Sequence, residues 1–172
     1  MPVLLLAACQ QTDFKLEPEG GQSHTLVQRP CGTGHGTAEQ PFTTEDILNG
    51  NAPQDTASYW VIGYVVGATY QSIQNAEFKQ HTTYTTNILL ASDSTCTDIE
   101  KCIPIELKGA KMQKAFALAH NPNGFRQCAM LQGTIGTYFR KTGLRHTTAG
   151  HWLHGFNLSH ITPQEWQTDS IP

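Results

Sequence analysis

Two short stretches of the sequence carry, between them, aromatic rings and positive charge. The first is a polar stretch at 71–85 with a tyrosine near each end, and the second is the pair Arg140–Lys141. Aromatic rings can stack on a base or a sugar ring, and neighbouring cations attract a phosphate or carboxylate group. We therefore predict a ligand-binding set made of Tyr70, Phe78, Lys79, His81, Tyr84, Arg140 and Lys141.

An ordinary solvated loop, with its rings folded back onto the domain, would have the same composition and is the alternative. Its length favours function, because loops of about 15 residues are uncommon unless they are functional or disordered. No Gly-x-Ser-x-Gly, His-Glu-x-x-His or paired-carboxylate signature occurs in the sequence. We therefore predict no catalytic residue.

Two groups of residues could in principle hold a metal ion. The imidazoles are those of His146, His151 and His154. The carboxylates are those of Asp93, Asp98 and Glu100. A histidine site would need one face and a further ligand, and Ca²⁺ would need carboxylates that converge. We interpret the two groups as surface or packing histidines and an acidic solvated loop, and we predict no metal and no cofactor.

The N-terminus carries a short apolar run that ends at a cysteine. Residues 3–8 are Val-Leu-Leu-Leu-Ala-Ala, and Cys9 follows. Small residues before a cleavage point and an apolar stretch upstream are what a signal peptidase recognises. The pattern resembles the bacterial lipobox, which implies that Cys9 is lipidated and that 1–9 is a lipoprotein signal peptide. The alternative is a chance apolar N-terminus with a buried cysteine.

Four further cysteines follow Cys9, and an even number in an exported chain suggests disulfides. Cys96 and Cys102 flank a short polar loop between two strand-like runs, so we predict that they pair across a turn. Cys31 and Cys128 then form the remaining pair. A zinc site is the alternative, but neither Cys-x-x-Cys nor a histidine at metal spacing from a cysteine occurs.

Composition narrows the class of protein. Charged residues make up 15% of the chain and the formal net charge is -3, so the whole chain has no strong electrostatic footprint for DNA or RNA. No apolar run approaches the about 20 residues of a membrane-spanning helix. The polar stretch at 10–31 is predicted to be a flexible tether.

The apolar pattern predicts five short strands and two helices. The strands are expected near 59–70, 86–91, 103–107, 129–139 and 144–148. One helix is expected within 41–50, with Thr43 as a candidate N-cap. Another is expected at the i, i+3, i+4, i+7 repeat that runs from Met112 to Ala119, with Met112 and Phe116 facing the core. Pro104 indicates an edge strand or a bulge, 140–143 indicates a turn, and Gly63, Gly67, Gly133 and Gly136 indicate bends.

Three strands, a helix and two strands are the order of elements in the OB-fold. We therefore predict a mostly β fold at 32–156: a five-stranded, OB-like Greek-key barrel with a helix between strands 3 and 4 and a short N-terminal helix. A C-terminal tail is expected at 157–172. OB barrels bind ligands on strands 2–3 and in the loops between strands 1–2 and 4–5, where the two aromatic and cationic stretches fall.

A set of segments in a fixed order resembles an uncharacterised OB-like domain of exported lipoproteins from Bacteroides-type bacteria. The resemblance spans 32–148, and Ile62–Gly67, Thr86–Ala91 and Cys102–Leu107 carry it, together with Gly36-Thr37, Pro41–Thr43, Asn121-Pro122, Gly133, Tyr138-Phe139 and Gly143-Leu144. It implies a fold and a compartment but no activity and no catalytic residues.

Together these inferences predict a non-catalytic binding or interaction lipoprotein anchored to the bacterial envelope. Its expected partners are the membrane, through the lipid, and a nucleotide, oligonucleotide or glycan-like ligand. The expected location is the periplasmic or cell-surface side of the outer membrane. The alternatives are an accessory domain of extracytoplasmic nucleic-acid processing and a structural or adhesin-like envelope subunit.

Overall fold

Residues 34–158 are the part of the chain that the computed structural model describes. They form seven strands and two α-helices: β1 Phe42–Thr43, α1 Thr44–Leu48, β2 Ser58–Tyr70, β3 Ser72–Glu77, β4 Asn87–Ala91, β5 Cys102–Glu106, α2 Gly109–Phe116, β6 Cys128–Tyr138 and β7 Lys141–Leu153. Short 3₁₀ helices cover Ile99–Lys101 and Pro122–Gly124. The prediction of a mostly β chain with two helices is confirmed. Cys9, Cys31 and the predicted tether lie outside the described residues.

Helix α1 begins at a capping box. The Thr43 hydroxyl accepts a hydrogen bond from the Asp46 backbone N–H at 3.1 Å, and the Asp46 carboxylate accepts one from the Thr43 backbone N–H at 2.8 Å. The cap satisfies N–H groups that a helix start leaves without partners. The helix ends at Asn49, and Gly50 follows with a φ of +74°, the left-handed conformation common after a helix.

All seven strands belong to one mixed sheet whose pairings form a closed circuit. Strand β2 pairs antiparallel with both β4 and β6, β4 pairs antiparallel with β5, and β6 pairs antiparallel with β7. The circuit closes through a parallel β5–β7 pairing at the single position Ile105–Leu144, so the ring is not a regular barrel. Two short strands, β1 and β3, pair with β2 and raise the strand number above the predicted five.

Glycines mark two irregular places in this sheet. The register shifts between Val65 and Gly67, where β2 faces β4, and again on β6 around Gly133. A Cβ on Gly67 would lie 2.3 Å from the Glu77 carbonyl oxygen, so β3 can approach β2 there only because the side chain is absent. The predicted bends at these two glycines are therefore β-sheet irregularities.

The sheet is buried on both faces along most of β2, β4 and β5, whereas much of β7 is partly exposed. Its inner face packs around a core that includes Val65, Leu90, Ile105 and Leu131, and α2 closes the core with Met112 and Phe116, as predicted. Its outer face carries a second buried group, the outer cluster, which consists of Ile62, Tyr64, Val66, Leu89, Ala91, Cys102, Cys128 and Met130. The outer cluster is covered by partly buried side chains that include Ile73, Phe78, Ile99, Leu153 and Phe156.

Three local predictions were wrong. The predicted long loop at 71–85 contains β3, because this segment turns back on β2 and pairs with it. The predicted turn at 140–143 lies at Phe139–Arg140, and Lys141–Gly143 already belong to β7. Pro104 is not at an edge or a bulge, since β5 lies between β4 and β7 and its register with β4 is continuous. The β5–β7 pairing is so short that one missing N–H is tolerated.

Neither α-helix within residues 34–158 has the length and apolar composition needed to span a bilayer.

Candidate functional site

Four polar side chains occupy the outer face of four adjacent strands. Asn87 lies on β4, Glu106 on β5, Arg145 on β7 and Tyr138 on β6. Asn87 and Glu106 are direct register partners, the Tyr138 hydroxyl contacts Asn87, and the Arg145 guanidinium lies over the Tyr138 ring. These four residues are called the polar platform below.

Strand alternation places these residues on the outer face. Ile88, Ile105 and Leu144 are fully buried in the inner core. Successive side chains of a strand point to opposite faces of the sheet. The residue next to each of these core positions must therefore point outward, and those neighbours are Asn87, Glu106 and Arg145.

Asn87 is the centre of the platform's hydrogen bonds. Its carbonyl oxygen accepts a short hydrogen bond from the Tyr138 hydroxyl. Its amide nitrogen donates to the Thr69 carbonyl at 3.3 Å and to the Thr86 hydroxyl at 2.9 Å. Only 3% of Asn87 is exposed, so these bonds satisfy a polar group that would be costly to bury alone. They also tie the end of β2 to the start of β4 and to β6.

The Glu106 carboxylate is held by the irregular part of β7. It accepts a hydrogen bond from the His146 backbone N–H at 2.7 Å, and the His146 Nδ1 lies 3.6 Å from the same oxygen. His146 has a φ of +51°, in the left-handed region, where the register with β6 shifts. Bulges of this kind change the direction of neighbouring side chains. The bulge therefore lies between Arg145 and the regular pairing of β7 with β6, which resumes at Ala149.

Arg145 has no carboxylate partner among the described residues. Its guanidinium carbon lies 5.7 Å from the centre of the Tyr138 ring, within the range of a cation–π contact. Its Nε is buried and has no hydrogen-bond partner in the part of the chain that is described. Burial raises the pKa of the Tyr138 hydroxyl, Glu106 raises it further and Arg145 lowers it. Tyr138 is thus a neutral hydrogen-bond donor at ordinary pH.

The predicted aromatic residues divide into two groups. Tyr70 and Tyr84 stack with ring centres 5.8 Å apart, and Tyr70 remains 44% exposed. Along the chain they adjoin the platform, because Tyr70 follows Thr69, whose backbone carbonyl accepts a hydrogen bond from Asn87. Phe78 instead packs on the outer cluster, where it is partly buried.

The predicted cations also differ from one another. Lys79 pairs with Glu77 at 3.0 Å, and His81 is exposed. Lys141 is bound to Glu100 at 2.8 Å with 15% of its side chain exposed, so its charge is already compensated. Arg140 is exposed at the tip of the β6–β7 hairpin, where Phe139 and Arg140 both have positive φ. The structure therefore does not present Arg140 and Lys141 as a pair of free charges.

Sequence reasoning missed Asn87, Glu106, Tyr138 and Arg145. One signal for them was available, since each lies within or directly beside a predicted apolar strand and next to a residue assigned to the core. A polar residue at such a place faces outward on a strand. The sequence carried no indication that the four would meet, because they come from strands that are far apart along the chain.

A separate pocket of about 200 Å³ lies beside α1. Its lining is Thr43, Thr44, Glu45, Ile62, Tyr64, Ser92, Asp93, Ser94, Asn157 and Leu158. The Thr44 and Ser92 hydroxyls are hydrogen bonded at 2.5 Å, and the Tyr64 hydroxyl donates to the Asn157 side chain at 3.1 Å. The polar side chains of this lining carry hydroxyls, carboxylates and an amide, whereas the platform carries a cation.

The described cysteines are free thiols. The sulfur atoms of Cys96 and Cys102 lie 3.8 Å apart, so the disulfide between them stays a prediction. Burial raises the pKa of the Cys102 thiol, and burial raises the pKa of the Cys128 thiol to about 12. Such thiols are protonated and poorly reactive at neutral pH. The pairing of Cys128 with Cys31 stays a prediction, since Cys31 is outside the described residues.

Metal ligands do not converge in this part of the chain. Within residues 34–158, no group of three or more His, Cys, Asp or Glu side chains is placed to hold a metal ion.

Comparison with known proteins gives a family but no described relative. No curated protein and no solved structure matches the chain. Residues 42–153 match the family described as "Domain of unknown function (DUF6359)". The matched range begins at the first residue of β1 and ends at the last residue of β7, so it contains every strand and the whole polar platform. Since the match covers well over half of the chain, the protein belongs to the DUF6359 family.

Proposed function

We propose that this protein is a non-catalytic binding module, tethered to the bacterial envelope, that holds a ring-bearing ligand on the outer face of β4, β5 and β7. The ligand would be a nucleotide-like or glycan-like molecule. Its ring would stack at Tyr70 and Tyr84, and its polar groups would meet the polar platform.

The order of strand pairings supports an OB-like arrangement. Strands β2, β4, β5, β6 and β7 correspond to OB strands 1 to 5, and α2 lies between the third and the fourth. The third strand pairs parallel with the fifth, and the first pairs with both the second and the fourth. On this correspondence Asn87 and Glu106 would lie on strands 2 and 3, and Tyr138 would lie next to the hairpin between strands 4 and 5, which are places where OB domains bind ligands.

The observation that carries the proposal is the continuity between an exposed aromatic stack and a polar group. Tyr70 exposes 44% of its surface while its ring stacks on Tyr84. Asn87 connects the end of β2 to Tyr138 through its bonds to Thr69 and to the Tyr138 hydroxyl. Ligand sites commonly combine apolar or aromatic surface with a few convergent polar groups.

The charge of the face favours a small ligand over a long nucleic acid. The platform carries one carboxylate and one guanidinium, and Lys79 and Lys141 are both engaged in ion pairs. Polyanion binding depends on many free cations. A mononucleotide, a short oligonucleotide or a sugar therefore fits this face better than duplex DNA or long RNA.

A binding screen tests the proposal. Binding of nucleotides, short oligonucleotides and oligosaccharides to the full chain would be measured at low salt by calorimetry. The Tyr84→Ala variant is expected to lower the affinity of the best ligand about tenfold, since one stacked ring is worth roughly 1–3 kcal/mol. Phe78→Ala is the matched control, because it removes a ring that packs on the outer cluster.

The two variants distinguish a binding site from a loop whose rings only pack on the domain. Phe78→Ala is expected to lower thermal stability and to leave the affinity per folded molecule unchanged. If Tyr84→Ala lowers stability in the same way and leaves every affinity unchanged, the binding face is refuted. Self-assembly of the purified chain without any ligand would favour a structural subunit instead.

The tether is proposed from the sequence around Cys9. One acyl chain gives only weak anchoring, and stable attachment needs more than one signal. The Cys9→Ser variant, expressed in the native host, should leave the membrane fraction and take up no labelled fatty acid. Retention of both properties would show that Cys9 is not the lipid attachment site.

A further inference from the structure

We propose that Arg145 is an anion subsite within the polar platform and that it receives a phosphate or carboxylate group of the ligand. The inference deepens the proposed function and rests on it for the position of the ligand's ring. It also replaces the anion partner expected from the sequence, which was the Arg140–Lys141 pair.

Lys141 cannot serve as the main anion partner, because its charge is already used. Its ammonium group lies 2.8 Å from the Glu100 carboxylate and 3.4 Å from the Glu100 carbonyl oxygen. With 15% of its side chain exposed, it has little freedom to turn toward a ligand. Arg140 is free but lies at the exposed hairpin tip.

Arg145 has the opposite properties. Arg145 forms no salt bridge with a carboxylate of the described residues, and its guanidinium makes no hydrogen bond to them. Its Nε is covered and lacks a partner. An arginine carries five N–H donors in a planar fork that matches phosphate and carboxylate oxygens. Nε is the guanidinium nitrogen that is both covered and without a partner, so the two Nη groups stay open, and an incoming oxygen atom would bind and pair the charge there.

The surroundings of Arg145 hold the guanidinium in place without neutralising it. The Tyr138 ring supports one side of it, and the Tyr138 proton is committed to Asn87. Because its pKa is raised, Tyr138 does not become a phenolate that would compete for the cation. Glu106 is the nearby negative group, and its carboxylate is bound by the His146 backbone N–H at 2.7 Å, with His146 Nδ1 at 3.6 Å.

The geometry therefore specifies an amphipathic anion as the class of ligand. A ring bearing one phosphate or carboxylate group could place the anion at Arg145 while the ring lies toward Tyr70 and Tyr84. A neutral glycan would use only the aromatic part of this face. Arg145 is thus the residue that would select an acidic ligand over a neutral one.

Phenyl phosphate, inorganic phosphate and phenol are suitable probes, since they separate the anion from the ring. The readout is the Nε–Hε correlation of Arg145 in ¹⁵N NMR of the full chain, assigned by its loss in Arg145→Lys. A buried Nε exchanges its proton slowly enough to give such a signal. Phenyl phosphate and inorganic phosphate are expected to shift it, and phenol is expected to leave it unchanged.

Affinity for phenyl phosphate gives the second readout. Arg145→Gln is expected to weaken binding about tenfold, which is the usual scale for one charge-assisted contact. Arg145→Lys keeps the charge without the fork and should weaken binding less. Arg140→Gln is the matched control, because it removes an equal charge from the exposed hairpin tip and should leave binding within about twofold.

Each outcome bears on one of the two proposals. An unchanged Arg145 signal, or equal losses in Arg140→Gln and Arg145→Gln, would overturn the anion subsite. If Arg145→Gln does not fold by its thermal transition, Arg145→Lys and the NMR shift decide alone. A ligand that depends on Tyr84 but not on Arg145 would refute the subsite and leave the proposed function standing. Phosphate binding at Arg145 without any effect of Tyr84 would do the reverse.

Discussion

The outer face of the sheet has two regions, one apolar and covered by other parts of the chain and one polar and held by hydrogen bonds. The outer cluster is apolar, and the chain covers it with β3, the 96–99 segment and the residues after β7. The polar platform shares β4, β5 and β6 with this cluster and adds β7 in place of β2, and it is held by hydrogen bonds from Tyr138 to Asn87 and from His146 to Glu106. Arg145 lies over the Tyr138 ring there, and its Nε has no hydrogen-bond partner among the described residues.

This difference indicates which residues of the outer face serve stability and which could serve a function. Covering apolar surface stabilises the fold, so the outer cluster acts as a second core. A satisfied polar group with one unpaired cation adds little stability and leaves a place for a ligand. The comparison therefore separates residues whose loss should unfold the protein from residues whose loss should change binding.

The largest expected effect is on the outer cluster. Leu89 is fully buried there, and Leu89→Ala should lower the free energy of unfolding by about 2–5 kcal/mol through lost burial and a residual cavity. Tyr138→Phe is the comparison on the platform and should cost about 1–2 kcal/mol for one buried hydrogen bond. Urea unfolding of both variants measures the two losses in the free energy of unfolding. Equal losses would show that the two regions do not differ in stability.

The Cys96–Cys102 pair should add stability when it is oxidised. The thiols are 3.8 Å apart in the reduced form, and a bond between them closes only a short loop. The chain-entropy model gives about 2 kcal/mol for a loop of that size. Mild oxidation followed by non-reducing peptide mapping and urea unfolding tests this. Two free thiols in protein taken from an oxidising compartment would contradict the predicted disulfide.

Alkaline pH should lower the free energy of unfolding, because the Cys128 thiol is buried in the outer cluster. Its pKa is about 12 in the folded protein against 9.0 for an ordinary thiol, so the unfolded chain loses the proton first as pH rises. The contribution of this raised pKa to the free energy of unfolding is fully present below about pH 9 and should fall by about 2 kcal/mol by about pH 11. Under reducing conditions, Cys128→Ala should lose less stability over this interval than the native chain. Parallel pH curves for the two would refute the burial of this thiol.

The smallest expected effect is that of the Lys141–Glu100 pair. Glu100 is 79% exposed, so Lys141→Gln should cost at most about 1 kcal/mol. The loss should shrink at high salt, because exposed charges are screened. Phenyl phosphate affinity should stay within about twofold, unlike the loss expected for Arg145→Gln. A large loss of affinity in Lys141→Gln would move the anion partner back to the pair predicted from the sequence.

Residues near one another in sequence were the easiest to predict. The Thr43 cap, the Met112 and Phe116 face of α2 and the main strands depend on local periodicity, and they were found. β3 was missed because its short sequence alternates weakly and gains its partner only when the chain turns at Gln71. Of the predicted binding residues, the rings of Tyr70 and Tyr84 do meet, whereas Phe78 became part of the covering.

The sequence by itself determined the five main strands, the two helices and the apolar side of each main strand, since these depend on backbone preference and side-chain spacing. Tertiary structure alone decided which charges remain free. Lys141 and Arg145 are both cations on β7, but one meets Glu100 and the other faces the Tyr138 ring. That outcome depends on which strands become neighbours and on the bulge at His146, and such long-range pairing leaves no mark in the local sequence.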